Sequence, residues 1–260
     1  AVGLGTGWMV GAGSFALTGQ VAELAGDLFP VAFLVAAIIV AFSAYSYIKM
    51  SNAYPSSGGI VMYLEKAYGR GMTTVFCALL MYCSMVINQS LVARTFGTYT
   101  LQLFDVEPGS LLVPLLGVAL LGFAFVVNIS GNRLIGTFSL VMAVVKIGAI
   151  ALFTIVGLWL ADVSFASVSV ETTNTSTGTF LASLALAILA YKGFTTITNS
   201  GAEIVDPHRN VSRTIIISIS ICALLYVLVA LAVATNLTLP EIIKARDFAL
   251  AEAARPALGD

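Results

Sequence analysis

Charge is what this sequence has least of. Asp, Glu, Lys and Arg make up 10% of its 260 residues and hydrophobic residues 59%, whereas a soluble domain carries roughly 25% charged residues. An ordinary soluble domain is excluded. The formal net charge is -1, with 12 basic and 13 acidic side chains and no long basic block, so nucleic acid is excluded as a partner. The chain has one histidine, His208, and no grouping of His, Cys, Asp or Glu at metal-ligand spacing. Neither a metal nor any other cofactor is called for, and a membrane-embedded enzyme, which needs such clusters, is disfavoured with them. Cys77, Cys83 and Cys222 all lie in apolar runs and read as small packing residues, with no disulfide framework. Strand-like alternation is missing, which excludes an outer-membrane barrel. The chain opens on Ala1, with no initiator methionine and no basic stretch ahead of a cleavage site. The expectation is a trimmed chain, not a signal peptide.

Long apolar runs are present in abundance. Those that reach the roughly 20 residues of a spanning helix predict seven spans, over 1–24, 29–49, 72–101, 111–129, 134–160, 179–201 and 214–235. The fold class is all-α integral membrane, with the lipid bilayer as an obligatory partner. An odd number of spans sets the two ends on opposite sides. Lys49, Lys66 and Arg70 lie between spans two and three, Arg133 between four and five, and Arg209 and Arg213 between six and seven. The other short loops hold Asp27, Asp105, Glu107, Asp162 and Glu171 and no Lys or Arg. By the positive-inside rule this is a multi-pass protein of the cell membrane whose N-terminal side is cytoplasmic and whose C-terminal end is outside.

Three connecting stretches have readable chemistry. Ala53-Tyr54-Pro55-Ser56-Ser57-Gly58-Gly59 predicts a turn, since proline fixes φ and paired glycines accept positive φ. Residues 60–68 after it read either as a short amphipathic helix at the inner interface or as a plain connector. Beyond the last span, Leu239-Pro240 opens a segment in which Phe248, Leu250, Ala251 and Ala254 form an apolar face, with Asp247 as N-cap. The polar loop Asn174-Thr175-Ser176-Thr177-Gly178, preceded by Thr172 and Thr173, carries no chemistry of its own.

Two spans carry features at odds with uninterrupted helix. Glycine costs a helix about 1 kcal/mol relative to alanine, and Gly3, Gly5, Gly7, Gly11 and Gly13 crowd into the first span. The stretch Gly11-Ala12-Gly13-Ser14-Phe15 therefore predicts a break. In hydrocarbon a break survives only where it lines a cavity or meets a ligand. In span six, Leu189-Ala190-Tyr191-Lys192-Gly193-Phe194 offers a second one; the plainer reading is that Gly193 is a close-packing residue. Both features fall near the midplane. Two helices of opposite direction interrupted at the same depth are the pattern of an inverted-repeat secondary transporter. Half-helix N-termini favour an anion and unwound carbonyls a cation, and an amino acid offers both.

Arg94, Lys146 and Lys192 are the charged residues well inside the spans, and each costs about 2.5–3.5 kcal/mol at the bilayer centre. Arg94 lies roughly 10 Å from the outer end of span three, within reach of snorkelling or of capping a neighbouring helix. Lys146 is about twelve residues past Arg133, too deep to snorkel. It reads either as a permanent cation bonded to carbonyls or as the group that exchanges a proton during a cycle, since no Asp or Glu lies inside any span to do so.

At these residues the sequence resembles the amino acid-polyamine-organocation (APC) superfamily. Gly11-Ala12-Gly13-Ser14-Phe15 is similar to its unwound first helix, with Ser14 where Ile is usual. Pro55-Ser56-Ser57-Gly58-Gly59 is similar to the inner loop after helix two. Residues 202–213 resemble the loop after helix six, with Ile204, Asp206 and Ser212 replacing Glu, Asn and Pro. The resemblance implies the LeuT-type 5+5 inverted-repeat fold, here truncated to its first seven helices. Residues 1–161 are the first five-helix repeat, 162–236 the start of the second, and 237–260 an outer segment leading to a missing helix eight.

It further implies an amino acid permease. Backbone groups of Gly11, Ala12, Gly13, Ser14 and Phe15 would hold a substrate carboxylate, and carbonyls around Leu189, Ala190 and Tyr191 its amino group, with Tyr191 as an aromatic gate. Lys146 resembles the helix-five lysine that takes the place of sodium in some members, which implies sodium-independent transport with protons as the coupling partner. Where many members continue Gly-Phe-Glu or Gly-Phe-Asp, this chain has Gly193-Phe194-Thr195, with Lys192 before it. A missing acid and an added base disfavour cationic substrates and leave a neutral or acidic amino acid, unless Lys192 points into a neighbouring helix. Alternatives are an exchanger without proton coupling and a non-transporting protein on the same fold. A channel would carry a continuous polar stripe in place of isolated midplane features.

Overall fold

Hydrocarbon leaves a spanning backbone no partner but itself, and every regular element in the computed structural model is helical, with no strand among the described residues. The structure describes residues 6–7, 9–11, 15–102, 104, 111–130, 132–160, 176–199, 204, 206–246 and 248–258. The helices are α1 (Thr18–Ala25), α2 (Phe29–Ala53), α3 (Gly59–Tyr68), α4 (Met72–Gln102), α5 (Leu112–Ile129), α6 (Asn132–Leu160), α7 (Thr177–Ala190), α8 (Phe194–Asn199), α9 (Pro207–Asn236), α10 (Leu239–Lys244) and α11 (Ala249–Leu258).

Among the described residues, six helical stretches are long and apolar enough to cross a membrane: Thr18–Ala53, Met72–Gln102, Leu112–Ile129, Ser139–Trp159, Thr177–Asn199 and Pro207–Asn236. The sequence predicts seven. The predicted first span, 1–24, is described only in part: the backbone turns at Gly11, and α1, of 8 residues, runs through a single 3-10 turn at Gly26–Leu28 into α2.

Local chemistry sets the helix ends. Pro30 and Pro207 stand in first turns, where the missing N–H has no helical partner to lose. Ser176 caps α7 by accepting from Thr179 N at 3.2 Å. Thr238 and Glu241 form a reciprocal capping box on α10. Asp206, ahead of α9, has φ 50° and ψ 63°, the left-handed region. Asp247, expected as an N-cap, lies outside the described residues.

The core is a packed centre of α2 and α9, flanked by α1, α6 and α7. Ala32, Ala36 and Ala230 are fully buried and let the helices approach, while Phe29, Phe33, Tyr191 and Tyr226 fill the space between. α4 and α5 pair closely: a Cβ on Gly97 would collide with Val113 O, and one on Gly117 would stand 3.1 Å from Ala93 O. Their remaining faces, with Phe76, Leu79, Leu115 and Phe125, are exposed and apolar, as a lipid-facing surface must be.

Residues 60–68, open between helix and connector from sequence, form with Gly59 the helix α3, which packs on α4 and α8. Gly59 has φ 50° and leaves no room for a side chain beside Asn199 Oδ1. Tyr63 is buried with its hydroxyl 2.7 Å from Ser51 Oγ, and His208 Nδ1 donates to Asn52 O at 2.6 Å. These contacts tie together the ends of α2, α3, α8 and α9. The opposite end of the bundle carries α10, seated on α1.

Candidate functional site: the crossing of two interrupted helices

Helix one stops at Gly11. Its φ of 145° is a conformation that suits glycine and strains any L side chain. Val10 N closes a turn onto Thr6 O at 2.8 Å before it, and Phe15 N bonds Gly11 O at 2.9 Å after it. Ala12, Gly13 and Ser14, the middle of the predicted carboxylate site, lie outside the described residues. Phe15 is held from α4, where Tyr99 donates to Phe15 O at 3.2 Å and the two rings pack edge to face at 5.6 Å.

Helix six is interrupted differently. α7 ends at Ala190, residues 191–193 form a turn, and α8 resumes at Phe194. Through this stretch the amides bond three residues back: Tyr191 N to Ile188 O (3.1 Å), Lys192 N to Leu189 O (3.2 Å), Phe194 N to Tyr191 O (3.4 Å) and Thr195 N to Lys192 O (3.2 Å). The tightening withdraws Ala190 O from the usual bond to Phe194 N. The freed carbonyl finds Tyr226 of α9 at 3.3 Å, and the same hydroxyl donates to Met9 O of helix one. One buried phenol therefore bridges a carbonyl from each interrupted helix. At Gly193 the two backbones touch, since a Cβ there would stand 2.9 Å from Met9 N and 3.1 Å from Met9 Cα.

Lys146, half-buried on α6, reaches the same place. Its Nζ lies 3.6 Å from where a Gly11 side chain would begin, so an ammonium faces the break directly. One turn earlier Gly7 is seated against Ala143, where a Cβ would come within 2.8 Å of the alanine methyl. Tyr191 is fully buried, donates to Phe33 O of α2 at 3.2 Å and packs against the Tyr226 ring at 5.0 Å. Lys192 reaches α4, where its Nζ donates to Ser84 Oγ. The sequence condition on Lys192 is thereby met in the negative: its ammonium points into a neighbouring helix, so it gives no argument about substrate charge. Leu189, Ala190, Lys192 and Gly193, with Met9 and Asn88, line a cavity of about 30 Å³ at the crossing.

Gly11, Phe15, Lys146 and residues 189–193 are thus gathered around one crossing. Sequence reasoning missed Met9, Ser84, Tyr99 and Tyr226. For the tyrosines the signal was a phenol inside an apolar run, because a buried hydroxyl needs a partner. Among the described residues no group of three or more His, Cys, Asp or Glu is placed to hold a metal.

A helical bundle built around two interrupted helices, with six stretches among the described residues able to cross a membrane, defines a multi-pass membrane protein. The chain belongs to the amino acid permease family, which matches residues 1–256, within the APC superfamily. It is 32% identical over 259 residues to the inner membrane transport protein YbaT of Escherichia coli, covering 99% of this chain and 60% of that protein. It is 25% identical over 258 residues to the serine/threonine exchanger SteT of Bacillus subtilis, covering 97% and 57%. It is 28% identical over 272 residues to the large neutral amino acids transporter small subunit 2 of Mus musculus, covering 96% and 49%. These relatives are transporters, not enzymes, and the chain spans about half to three fifths of their lengths.

Proposed function

We infer that this chain carries the substrate site of a secondary active amino acid transporter that works by alternating access on the LeuT-type 5+5 plan. The observation that carries the reading is the crossing itself: two interrupted helices touch at Gly193 and Met9, and the Lys146 ammonium faces Gly11. Interrupted helices at one depth supply both halves of an amino acid site, amides for the carboxylate and carbonyls for the ammonium. The amides are those of Gly11 to Phe15; the carbonyls are those around Leu189, Ala190 and Tyr191. The cavity there, about 30 Å³, has room for water but not for an amino acid. Substrate enters when the helices part, as alternating access requires.

Transport is sodium-independent and proton-linked. A cation fixed beside the break repels sodium, and Lys146 is the group placed to exchange the proton. With Lys192 bonded to Ser84 of α4, the charge argument against a cationic substrate no longer holds, and the substrate class proposed is an amino acid. The α3 end, with Lys49, Lys66, Arg70, Arg209 and Arg213, faces the cytoplasm, and the α10 end faces outward. A second reading, exchange without proton coupling, is favoured by the relative named as an exchanger.

The test is uptake of radiolabelled amino acids into proteoliposomes holding the protein at its full natural length, with and without an inward proton gradient, for wild type and Lys146→Ala. Gradient-driven uptake that the substitution abolishes while substrate still binds supports Lys146 as the coupling group. Uptake that follows sodium, or that stays gradient-driven in the variant, overturns the coupling mechanism. Counterflow that ignores the proton gradient selects the exchanger.

A further inference from the structure

The charged residues well inside the spans are all cations, and Lys192 is the one that opens on the cavity between α4 and the interrupted helix six. A charge at that depth is costly enough to be found paired or at work. Among the described residues Lys192 makes no ion pair. Its ammonium has three hydrogens, and Ser84 Oγ of α4 takes one of them. Two are left.

The polar wall beside it is one-sided in its chemistry. The carbonyls of the turn are already engaged: Leu189 O accepts from Lys192 N at 3.2 Å and Ala190 O from the Tyr226 hydroxyl at 3.3 Å. Lys192 O accepts from Thr195 N at 3.2 Å and from Thr195 Oγ1 at 2.9 Å, and Gly193 O from Thr196 N at 3.1 Å. The donors are not engaged. Asn88 and Gln89 of α4 and Thr196 of α8 line the cavity, and their side chains make no hydrogen bond among the described residues. No acidic side chain is among the described residues that line it.

A cation set among uncommitted N–H and O–H groups, with its carbonyls spent, selects an anion. Size narrows the class. A cavity of about 30 Å³ has room for water-sized groups, which admits a monatomic anion and excludes a phosphate or an amino acid. Asn88 lies one helical turn past Ser84, so the hydroxyl that holds Lys192 and the amide at the cavity share a face of α4.

We propose that this cavity is a binding site for a monatomic anion of the chloride type, held by the Lys192 ammonium, the Asn88 and Gln89 side-chain amides and the Thr196 hydroxyl. It is separate from the amides of residues 11–15 assigned to the substrate carboxylate, and it goes beyond the transport reading. The anion neutralises Lys192 while the two interrupted helices are in contact. Its ligands come from α4 on one side and from residues 192–196 on the other, so the bound ion joins the two.

Chloride NMR line broadening on the full-length protein in detergent tests it, with sodium gluconate holding the ionic strength constant. Wild type is expected to broaden the chloride line, and bromide to compete the broadening away. Lys192→Gln abolishes it and Lys192→Arg keeps it. Asn88→Leu and Thr196→Val each weaken binding by about tenfold, the usual loss for a hydrogen bond to a charged partner. Arg70→Gln, in an exposed pair with Glu65, changes nothing, which separates the cavity from surface binding. Crystals grown in bromide should show an anomalous peak beside Lys192 Nζ. Where Lys192→Gln fails to fold, Asn88→Leu and Thr196→Val carry the test, and unchanged affinity in both overturns the site. Broadening that survives in a folded Lys192→Gln protein, or a bromide peak at another cation, overturns it too. Broadening that saturating L-serine abolishes assigns the wall to the substrate carboxylate and overturns a separate anion site. A wild type that transports amino acids yet leaves the chloride line sharp overturns the anion site and leaves the transport reading standing, whereas chloride binding without transport of any amino acid overturns the transport reading alone.

Discussion

Replacing Gly193 by alanine tests whether the two interrupted helices cross in contact. The added methyl would stand 2.5 Å from Met9 Cγ, 2.9 Å from Met9 N and 3.1 Å from Met9 Cα. The Cγ contact is relieved by a rotamer change; the other two are backbone and are not. Helix one must therefore move away from the turn at 191–193, which also stretches the Tyr226 bridge to Met9 O and Ala190 O. Overpacking of this kind costs about 1–3 kcal/mol. For a chain of this size that lowers Tm by roughly 2–4 °C per kcal/mol. Gly178→Ala is the matched control: its Cβ would meet only Ser176 Oγ, at 3.7 Å, and alanine in a helix gains up to about 1 kcal/mol over glycine. Thermal unfolding in detergent should move in opposite directions for the two variants, with uptake lost in Gly193→Ala and kept in Gly178→Ala. No substitution at position 9 should rescue Gly193→Ala, because the limiting contacts are main chain. A Gly193→Ala protein with wild-type Tm and wild-type uptake refutes the crossing.

Two further outcomes follow from the connecting segments. Asp206 sits at φ 50° without a side-chain capping bond, so Asp206→Val should lower stability by about 1–2 kcal/mol while Asp206→Gly holds or raises it, read as Tm. The Glu241 carboxylate is held below the usual carboxylate range, first by the Thr238 hydroxyl at 2.7 Å and then by the Thr238 N–H at 2.8 Å. The folded chain therefore binds this proton less readily than the unfolded one, and the box contributes stability above the ordinary carboxylate range that is lost as pH falls through the lowered folded value. Amide exchange over residues 239–245 should differ between wild type and Glu241→Gln at neutral pH, and the difference should vanish on the acid side of that range.

Residue counts and local backbone preferences were enough to read the architecture in outline. Scarce charge and apolar runs of spanning length require a helical membrane protein, because hydrocarbon offers the backbone no other partner. Glycine at 11 marked where regular helix gives way, since its φ of 145° suits a residue without a Cβ; at 193 the plainer reading also holds, because the missing Cβ makes room for Met9. The helical state of α3 was open: ten residues of mixed polarity stand as a helix or a connector according to what they pack on, and α4 and α8 supply the support.

Tertiary structure alone decided which groups meet at each site. Met9, Lys146, Gly193 and Tyr226 are far apart in the chain, and no spacing rule relates them; the packing of α6, α7 and α9 around helix one brings them within contact. Lys192 shows the same limit from the other side, because its depth in span six was legible while its direction was not, and Ser84 on α4 captures it. That Arg94 and Arg246 line one cavity depends on α10 folding back over α1, where Gly19 leaves room for a carbonyl and nothing larger. Depth along a helix follows from counting at a fixed rise per residue, but the direction of a side chain around that helix matters only once neighbours exist to receive it.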